Sequence, residues 1–201
     1  MKKRLFDFVF SFIGLLILAP LFLVLSVSIK LSDAGPVFFS QERVGYQKRL
    51  FRIWKFRTMC VGAETKGPSI TQSGDSRVTK LGIWLRKSKL DELPQLFNVL
   101  IGEMSFIGPR PEVPRYVAMY TIQEQSVLAL RPGITDLATL RFRNEEAMLA
   151  KVNDPDKFYR EYCIPKKIAL NLEYAERASL ASDIRLIFAT LAAIFWGGRN
   201  R

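Results

Sequence analysis

The sequence predicts an α+β chain, mostly helical: a re-entrant membrane helix-break-helix over residues 1–30, then a small cytoplasmic domain over 31–201 with short strands and interfacial amphipathic helices. Three observations carry this. From Phe8 to Ile29 no residue is charged. Cations flank that stretch on both sides, at Lys2, Lys3 and Arg4 and again at Lys30, Arg43, Lys48 and Arg49. Beyond Leu31, short β-branched and aromatic runs give way to segments of helical period.

The apolar stretch would make a helix of about 33 Å, enough for a hydrocarbon core of about 30 Å. A cleavable signal peptide has a shorter apolar region, of about 7–15 residues, and a small-residue cleavage site. This run is longer and reads as a retained anchor. Pro20 lies near its middle, where it removes one intrahelical hydrogen bond and crowds the preceding turn, so a kink or break is expected. Basic flanks at both ends draw both to the cytoplasmic side. Together these favour a re-entrant hairpin; a kinked ordinary span is the alternative.

Pro36 to Phe39 and Phe51 to Met59 read as strands separated by a turn at Gly45. Asp75 to Ile83 begins polar and turn-rich. Trp84 to Leu100 reads as one helix, with Ser88 and Asp91 at capping-box spacing and Pro94 in an early turn. Gly102 to Pro111 reads as a loop and Glu112 to Leu130 as an amphipathic helix. Arg131-Pro132-Gly133 breaks the chain. Helices follow at Glu145–Ala150, Asp154–Tyr162, Lys166–Ser179 and Asp183–Trp196. The last is largely apolar with a basic tail at Arg199 and Arg201, too short to span, and suits the membrane surface or the core.

Thirty Lys and Arg stand against nineteen Asp and Glu, a formal charge of +11. Such a balance calls for an acidic partner: nucleic acid, anionic headgroups or a phosphorylated substrate. Histidine is absent, which removes Ser-His-Asp and Cys-His catalysis, histidine general bases and His-ligated zinc. Cys60 and Cys163 are far apart in sequence and form no metal or redox motif, so they read as reduced thiols.

Three groups of residues can carry chemistry. Asp91 and Glu92 are adjacent carboxylates amid Arg86, Lys87 and Lys89. Acids at a helix start can serve the helix dipole, but a pair set among cations also suits phosphate chemistry with Mg²⁺ held between one or two carboxylates and substrate phosphates. In Gly108-Pro109-Arg110-Pro111 two prolines restrict the backbone around Arg110, presenting a guanidinium that can grip phosphate. Lys55 and Arg57 project from one face of a strand, about 7 Å apart, as an anion site or a solvated strand end. A polar turn, Gln41-Glu42-Arg43-Val44-Gly45, precedes them.

In order along the chain, PVFFSQERVG, FRIWKFRTM, LRKSKLDELPQLFNVLIGEMSFIGPRP, RPGIT and LEYAERASLASDIRLIFATL resemble the small monotopic phosphoglycosyl transferases of the bacterial sugar transferase family. The likeness is to the stand-alone, PglC-like catalytic unit rather than to larger members with a multi-span N-terminal region. The resemblance implies an enzyme in which Asp91 attacks the β-phosphate of a UDP-sugar, releases UMP and holds a covalent phosphosugar. Undecaprenyl phosphate then takes up the phosphosugar. It further implies Mg²⁺ at Asp91 and Glu92, a positioning role for Glu92, and phosphate binding by Arg110 with Lys55, Arg57 and Arg86. The donor class it suggests is a UDP-linked N-acetylated hexosamine or diacetamido-trideoxy sugar.

The implied setting is the cytoplasmic face of the bacterial inner membrane, at the first membrane step of glycan or glycoconjugate assembly. The implied partners are inner-membrane phospholipid and downstream glycosyltransferases, with no nucleic acid. Ala19 stands where a serine commonly precedes the helix-breaking proline, and Asp136 where many relatives have glycine. Two rivals remain. A basic peripheral adaptor explains the charge and the anchor but not the acid pair. A membrane phosphatase with the same aspartyl chemistry has no need of a lipid-facing site.

Overall fold

The computed structural model describes residues 2–65, 67 and 74–196; Arg199 and Arg201 of the expected basic tail lie outside these. The chain opens with α1 (Lys2–Ser32), an uninterrupted 31-residue helix, about 46 Å long at the usual rise. It is long and apolar enough to cross a membrane. The break expected at Ala19-Pro20 is absent, because the helix continues through Pro20. One proline removes one backbone bond, while packing holds the helix on both sides of it. Ser11 and Ser28 each donate within their own turn, to Phe8 O at 3.1 Å and Val24 O at 2.8 Å.

α1 lies along α3 (Gln95–Ile101) and its neighbours. Arg4 donates 2.6 Å bonds to Val99 O and Leu100 O, carbonyls of the last turn of α3, where a helix leaves acceptors over. Lys3 pairs with Asp183 at 2.8 Å and donates to Ile107 O at 2.9 Å. Buried Asp7 accepts from Ser105 Oγ and Phe106 N. Further along, Phe22 meets Phe97 edge-on and Phe56 at 5.2 Å. Leu25 and Ile29 are buried with Phe56 and Leu85, each contributing roughly 1.5–3 kcal/mol. Both ends of α1 are therefore fastened to one folded body. Leu16, Ile17, Leu23 and Val24 point outward and are exposed.

β1 (Phe38–Val44) and β2 (Leu50–Phe56) form an antiparallel hairpin, Phe38 opposite Phe56 and Val44 opposite Leu50. β1 runs five residues beyond its expected end at Phe39. Alternation on β2 buries Phe51 and Ile53 against Val99 and Met104. α2 (Lys80–Lys87) begins at Thr79, whose hydroxyl accepts from Gly82 N at 2.9 Å.

The single helix expected over Trp84–Leu100 does not form. Ser88 ends α2 instead of starting a helix, donating to Trp84 O at 2.8 Å. Lys89 then turns left-handed (φ 57°), and a 3₁₀ turn, Leu90–Glu92, leads through Pro94 into α3. This break sets the acid pair on a tight turn.

The next two expectations also change. The loop Gly102–Pro111 contains β3 (Ser105–Ile107), which pairs in parallel with β4 (Gly133–Thr135). The helix expected over Glu112–Leu130 divides into α4 (Pro114–Val117) and a 3₁₀ turn, Glu124–Ala129. Thr121 and Glu124 cause the restart as a reciprocal capping box, with Thr121 N on Glu124 Oε2 at 2.8 Å and Glu124 N on Thr121 Oγ1 at 3.2 Å. The remainder is helical: α5 (Leu137–Arg141), α6 (Glu145–Leu149), α7 (Pro155–Phe158), a π turn over Tyr159–Cys163, α8 (Ile164–Glu176) and α9 (Leu180–Trp196). Val44, Tyr116, Leu149, Cys163 and Ile168 centre the core of this half. On α9, Leu186 is buried while Phe188 and Leu191 are exposed.

Candidate active site

Glu92 is the hub of a buried charge cluster. Lys55, from β2, reaches its Oε1 at 2.9 Å. Arg110 grips it with both arms, Nη2 to Oε1 at 2.6 Å and Nη1 to Oε2 at 3.3 Å. Burial alone would raise the carboxyl pKa, but Arg110 and Lys55 hold it well below the usual carboxylate range. Reciprocally, Glu92 raises the Arg110 pKa, while burial lowers that of Lys55.

Asp91, one residue earlier, is also buried but differently placed. Its Oδ1 is enclosed with no hydrogen-bond partner among the described residues. Burial raises its pKa, the Lys55 charge opposes this, the Glu92 charge adds to it, and the Lys89 and Arg86 charges oppose it more weakly. The site thus offers one carboxylate locked by cations and one left open.

Arg110 is held by more than its prolines. Its backbone N donates to Asp136 Oδ2 at 2.9 Å, and Asn171 Nδ2 reaches the same oxygen at 3.1 Å. The other oxygen of Asp136 caps α5 through Thr139 N. Beneath, Gly108 N donates to Thr135 O and Gly133 N to Pro109 O, both at 3.1 Å. A Cβ on Gly108 would stand 2.1 Å from Arg131 O, and one on Gly133 2.1 Å from Gly108 N. Only glycine permits this approach, which joins the Pro-Arg-Pro loop to the Arg131-to-Thr135 segment. Arg43 closes the far end, donating to Pro111 O at 3.0 Å. Beside Arg110, a cleft is lined by Pro109, Asp136, Lys167 and Asn171.

Of the residues expected here, Asp91, Glu92, Lys55 and Arg110 come together. Arg86 sits one element back, bonded through Nε to Thr58 Oγ1 at 2.9 Å. Arg57 does not join them. It is buried against the loop after α1, pairing with Asp33 at 2.6 Å and donating to Pro36 O and Asp33 O. The strand ends at Phe56, so the two-residue period linking Lys55 with Arg57 stops there. Sequence reasoning missed Asp136 as the anchor of Arg110, Asn171 and Arg43. The departure from glycine at Asp136 was the one available signal.

Among the described residues no group of three or more acids or cysteines is arranged to hold a metal. Glu92 accepts from Arg110 and Lys55, so of the two acids expected to hold the metal, Asp91 is the one with no cation bonded to its carboxylate among the described residues. That oxygen chemistry fits Mg²⁺ with the remaining positions filled by substrate phosphate and water.

Residues 1–197 match the family model described as bacterial sugar transferase. An undecaprenyl-phosphate glucose phosphotransferase of Komagataeibacter xylinus is 38% identical over 198 residues, 95% of this chain and 35% of the relative. A UDP-N-acetylgalactosamine-undecaprenyl-phosphate N-acetylgalactosaminephosphotransferase of Aeromonas hydrophila is also 38% identical, across 97% of this chain and 44% of its own length. The chain spans less than half of these two relatives. It covers 85% of the exopolysaccharide production protein ExoY of Rhizobium meliloti, at 33% identity over 213 residues. A family match along nearly the whole length, with the acid pair and the Pro-Arg-Pro loop meeting in one buried cluster, places the chain in the bacterial sugar transferase family.

Proposed function

We propose that the protein transfers a sugar 1-phosphate from a UDP-sugar to undecaprenyl phosphate through a covalent phosphosugar on Asp91, with release of UMP. The asymmetry of the acid pair carries this reading: Glu92 is saturated by Arg110 and Lys55, while Asp91 keeps a carboxylate free of any cation's grip. A carboxylate oxygen of Asp91 attacks the β-phosphorus. The bond to the bridging oxygen breaks, and its electron pair leaves with UMP. A phosphate oxygen of the carrier then attacks the same phosphorus, and the aspartyl oxygen departs as carboxylate. Lys55, Lys89 and Arg86 surround the reacting group with positive charge, and burial keeps water from competing. Mg²⁺, when held by Asp91 and the diphosphate, would offset phosphate charge. Glucose and N-acetylgalactosamine, named in the relatives, are the first donors to try; the N-acetylated class expected from sequence includes the second.

The same reading places both ends of α1 on the cytoplasmic side of the inner membrane. A bilayer cannot separate Lys3 and Arg4 from Ile29 when both regions bond or pack against one folded body. The outward apolar residues of α1 then enter the membrane without crossing it, and the site lies at headgroup depth where UDP-sugar meets the lipid phosphate.

Purified protein incubated with UDP-glucose or UDP-N-acetylgalactosamine and no acceptor should gain the mass of one phosphosugar on the peptide holding Asp91. A different modified residue would overturn the mechanism. EDTA should stop turnover and Mg²⁺ restore it. For topology, a single cysteine in place of Lys2, which leaves the Lys3 bonds intact, should resist an impermeant thiol reagent until cells are lysed.

A further inference from the structure

Gln95 has no hydrogen-bond partner for either amide atom among the described residues, yet its side chain is fully buried. An unpartnered buried amide is costly enough that a folded protein seldom keeps one without use. Its position along the helix shows what lies beside it. Residues three and four apart share a helix face. Gln95 stands three after Glu92, four after Asp91 and three before Asn98. Glu92 and Asn98 both bond to β2, the first to Lys55 Nζ and the second to Arg52 O and Trp54 N. Gln95 therefore sits between them on the face pressed against β2, in line with the acid pair. Leu96 and Phe97 meet α1 on other faces. Two orphaned buried groups, the Asp91 Oδ1 acceptor and the Gln95 amide, thus lie one helical turn apart.

We propose that Gln95 is a positioning residue for Asp91: neither amide atom is bonded in this structure, and a turn of the side chain brings its Nε2–H to the buried Oδ1 while its Oε1 accepts from Lys55. Lys55 has three N–H donors and spends one on Glu92. The proposal rests on Asp91 as the nucleophile. Attack uses one carboxylate oxygen and leaves the other as the acyl carbonyl, which Gln95 holds in place. In the second half-reaction the carrier's phosphate oxygen bonds to phosphorus as the aspartyl O–P bond breaks. The electron pair returns to the carboxylate, whose full charge strengthens the Gln95 bond. The amide thus favours release of the phosphosugar more than its capture.

The test measures each half-reaction of the full-length protein in wild type, Gln95→Met and Gln95→Asn. Methionine keeps the volume and removes the polar atoms; asparagine keeps the amide but withdraws it by one carbon. The probe is whichever of UDP-glucose and UDP-N-acetylgalactosamine labels wild-type protein, chased with undecaprenyl phosphate. Loss of a hydrogen bond to a charged group predicts that discharge of the adduct slows by about 10- to 100-fold in both variants. Adduct should accumulate at steady state, with KM for the carrier unchanged and the methionine variant melting at or above wild type. Wild-type discharge rates in either folded variant would overturn the proposal, as would a uniform slowing of both half-reactions with a lowered melting temperature. If wild type forms no adduct with either donor, the covalent reading itself fails, and that outcome is separate from normal kinetics in a labelled variant.

Discussion

The polar latch at the start of α1 and the acid pair on the turn before α3 are both charge clusters built on buried carboxylates, to opposite ends. In the latch, Lys3, Arg4 and Asp7 each meet defined partners: Asp183 and Ile107 O, Val99 O and Leu100 O, Ser105 and Phe106. Asp7, the buried member, has its partners supplied, and a satisfied polar group of this kind gives rigidity. In the acid pair satisfaction is divided. Glu92 takes every donor in reach and Asp91 Oδ1 takes none. An uncompensated buried acceptor costs stability and gains reactivity, the difference expected between the nucleophile proposed above and an anchor.

The largest expected effect comes from closing this division at its open end. Asp91→Asn should abolish turnover and adduct formation, because an amide cannot form the acyl phosphate. Its melting temperature near pH 7 should match or exceed wild type, since a buried, unpartnered charge is gone. An active asparagine variant, or one that unfolds, would erase the distinction between the two clusters.

Glu92→Gln attacks the closed end. It leaves Arg110 and Lys55 facing a neutral amide and should lower stability by about 3 kcal/mol, the low end for a broken buried pair, measured by denaturant titration. The signs of the two acids also differ with pH. The Glu92 pKa is lowered, so its stabilisation is complete above the usual glutamate value of about 4.3 and is lost as pH falls through the lowered pKa. The Asp91 pKa is raised, so its ionised form fades earlier on acidification. Adduct formation should therefore decline at a pH above the ordinary aspartate value of about 3.9, while the fold persists. A rate that tracks unfolding over the same range would contradict this ordering.

Changes in the latch should be smaller and act on stability alone. Asp7→Asn should cost about 1–3 kcal/mol and leave KM for the UDP-sugar unchanged in detergent. The smallest effect sharpens the contrast between two residues of one strand end. Arg57→Lys should lower the melting temperature through its lost bonds to Asp33 and Pro36, with adduct formation nearly unchanged. Lys55→Met should impair adduct formation severely. A strong catalytic defect in the Arg57 variant would return that residue to the anion site.

Much of this was legible in the residues. The apolar run announces α1, charge crowding marks Asp91 and Glu92, and two prolines mark Arg110. Those signals are local, so a reading along the chain captures them. Where the reading missed, distant segments decided. Arg57 is drawn to a loop more than twenty residues away, and Asp136 reaches back twenty-six residues to the Arg110 amide. The one helix expected over Trp84–Leu100 is divided by Lys89 in a left-handed conformation, which helix propensity does not foresee.

The sequence alone determined the family, the absence of histidine chemistry and the nature of the groups available: two acids, a constrained arginine and a basic surround. Tertiary structure decided how those groups are apportioned. Residue types set which charges can pair, but only packing sets which of two adjacent carboxylates receives the cations. Lys55 and Arg110 converge on Glu92 because β2, the Pro-Arg-Pro loop and the turn before α3 meet there, and Asp91, one residue earlier on that turn, is left open.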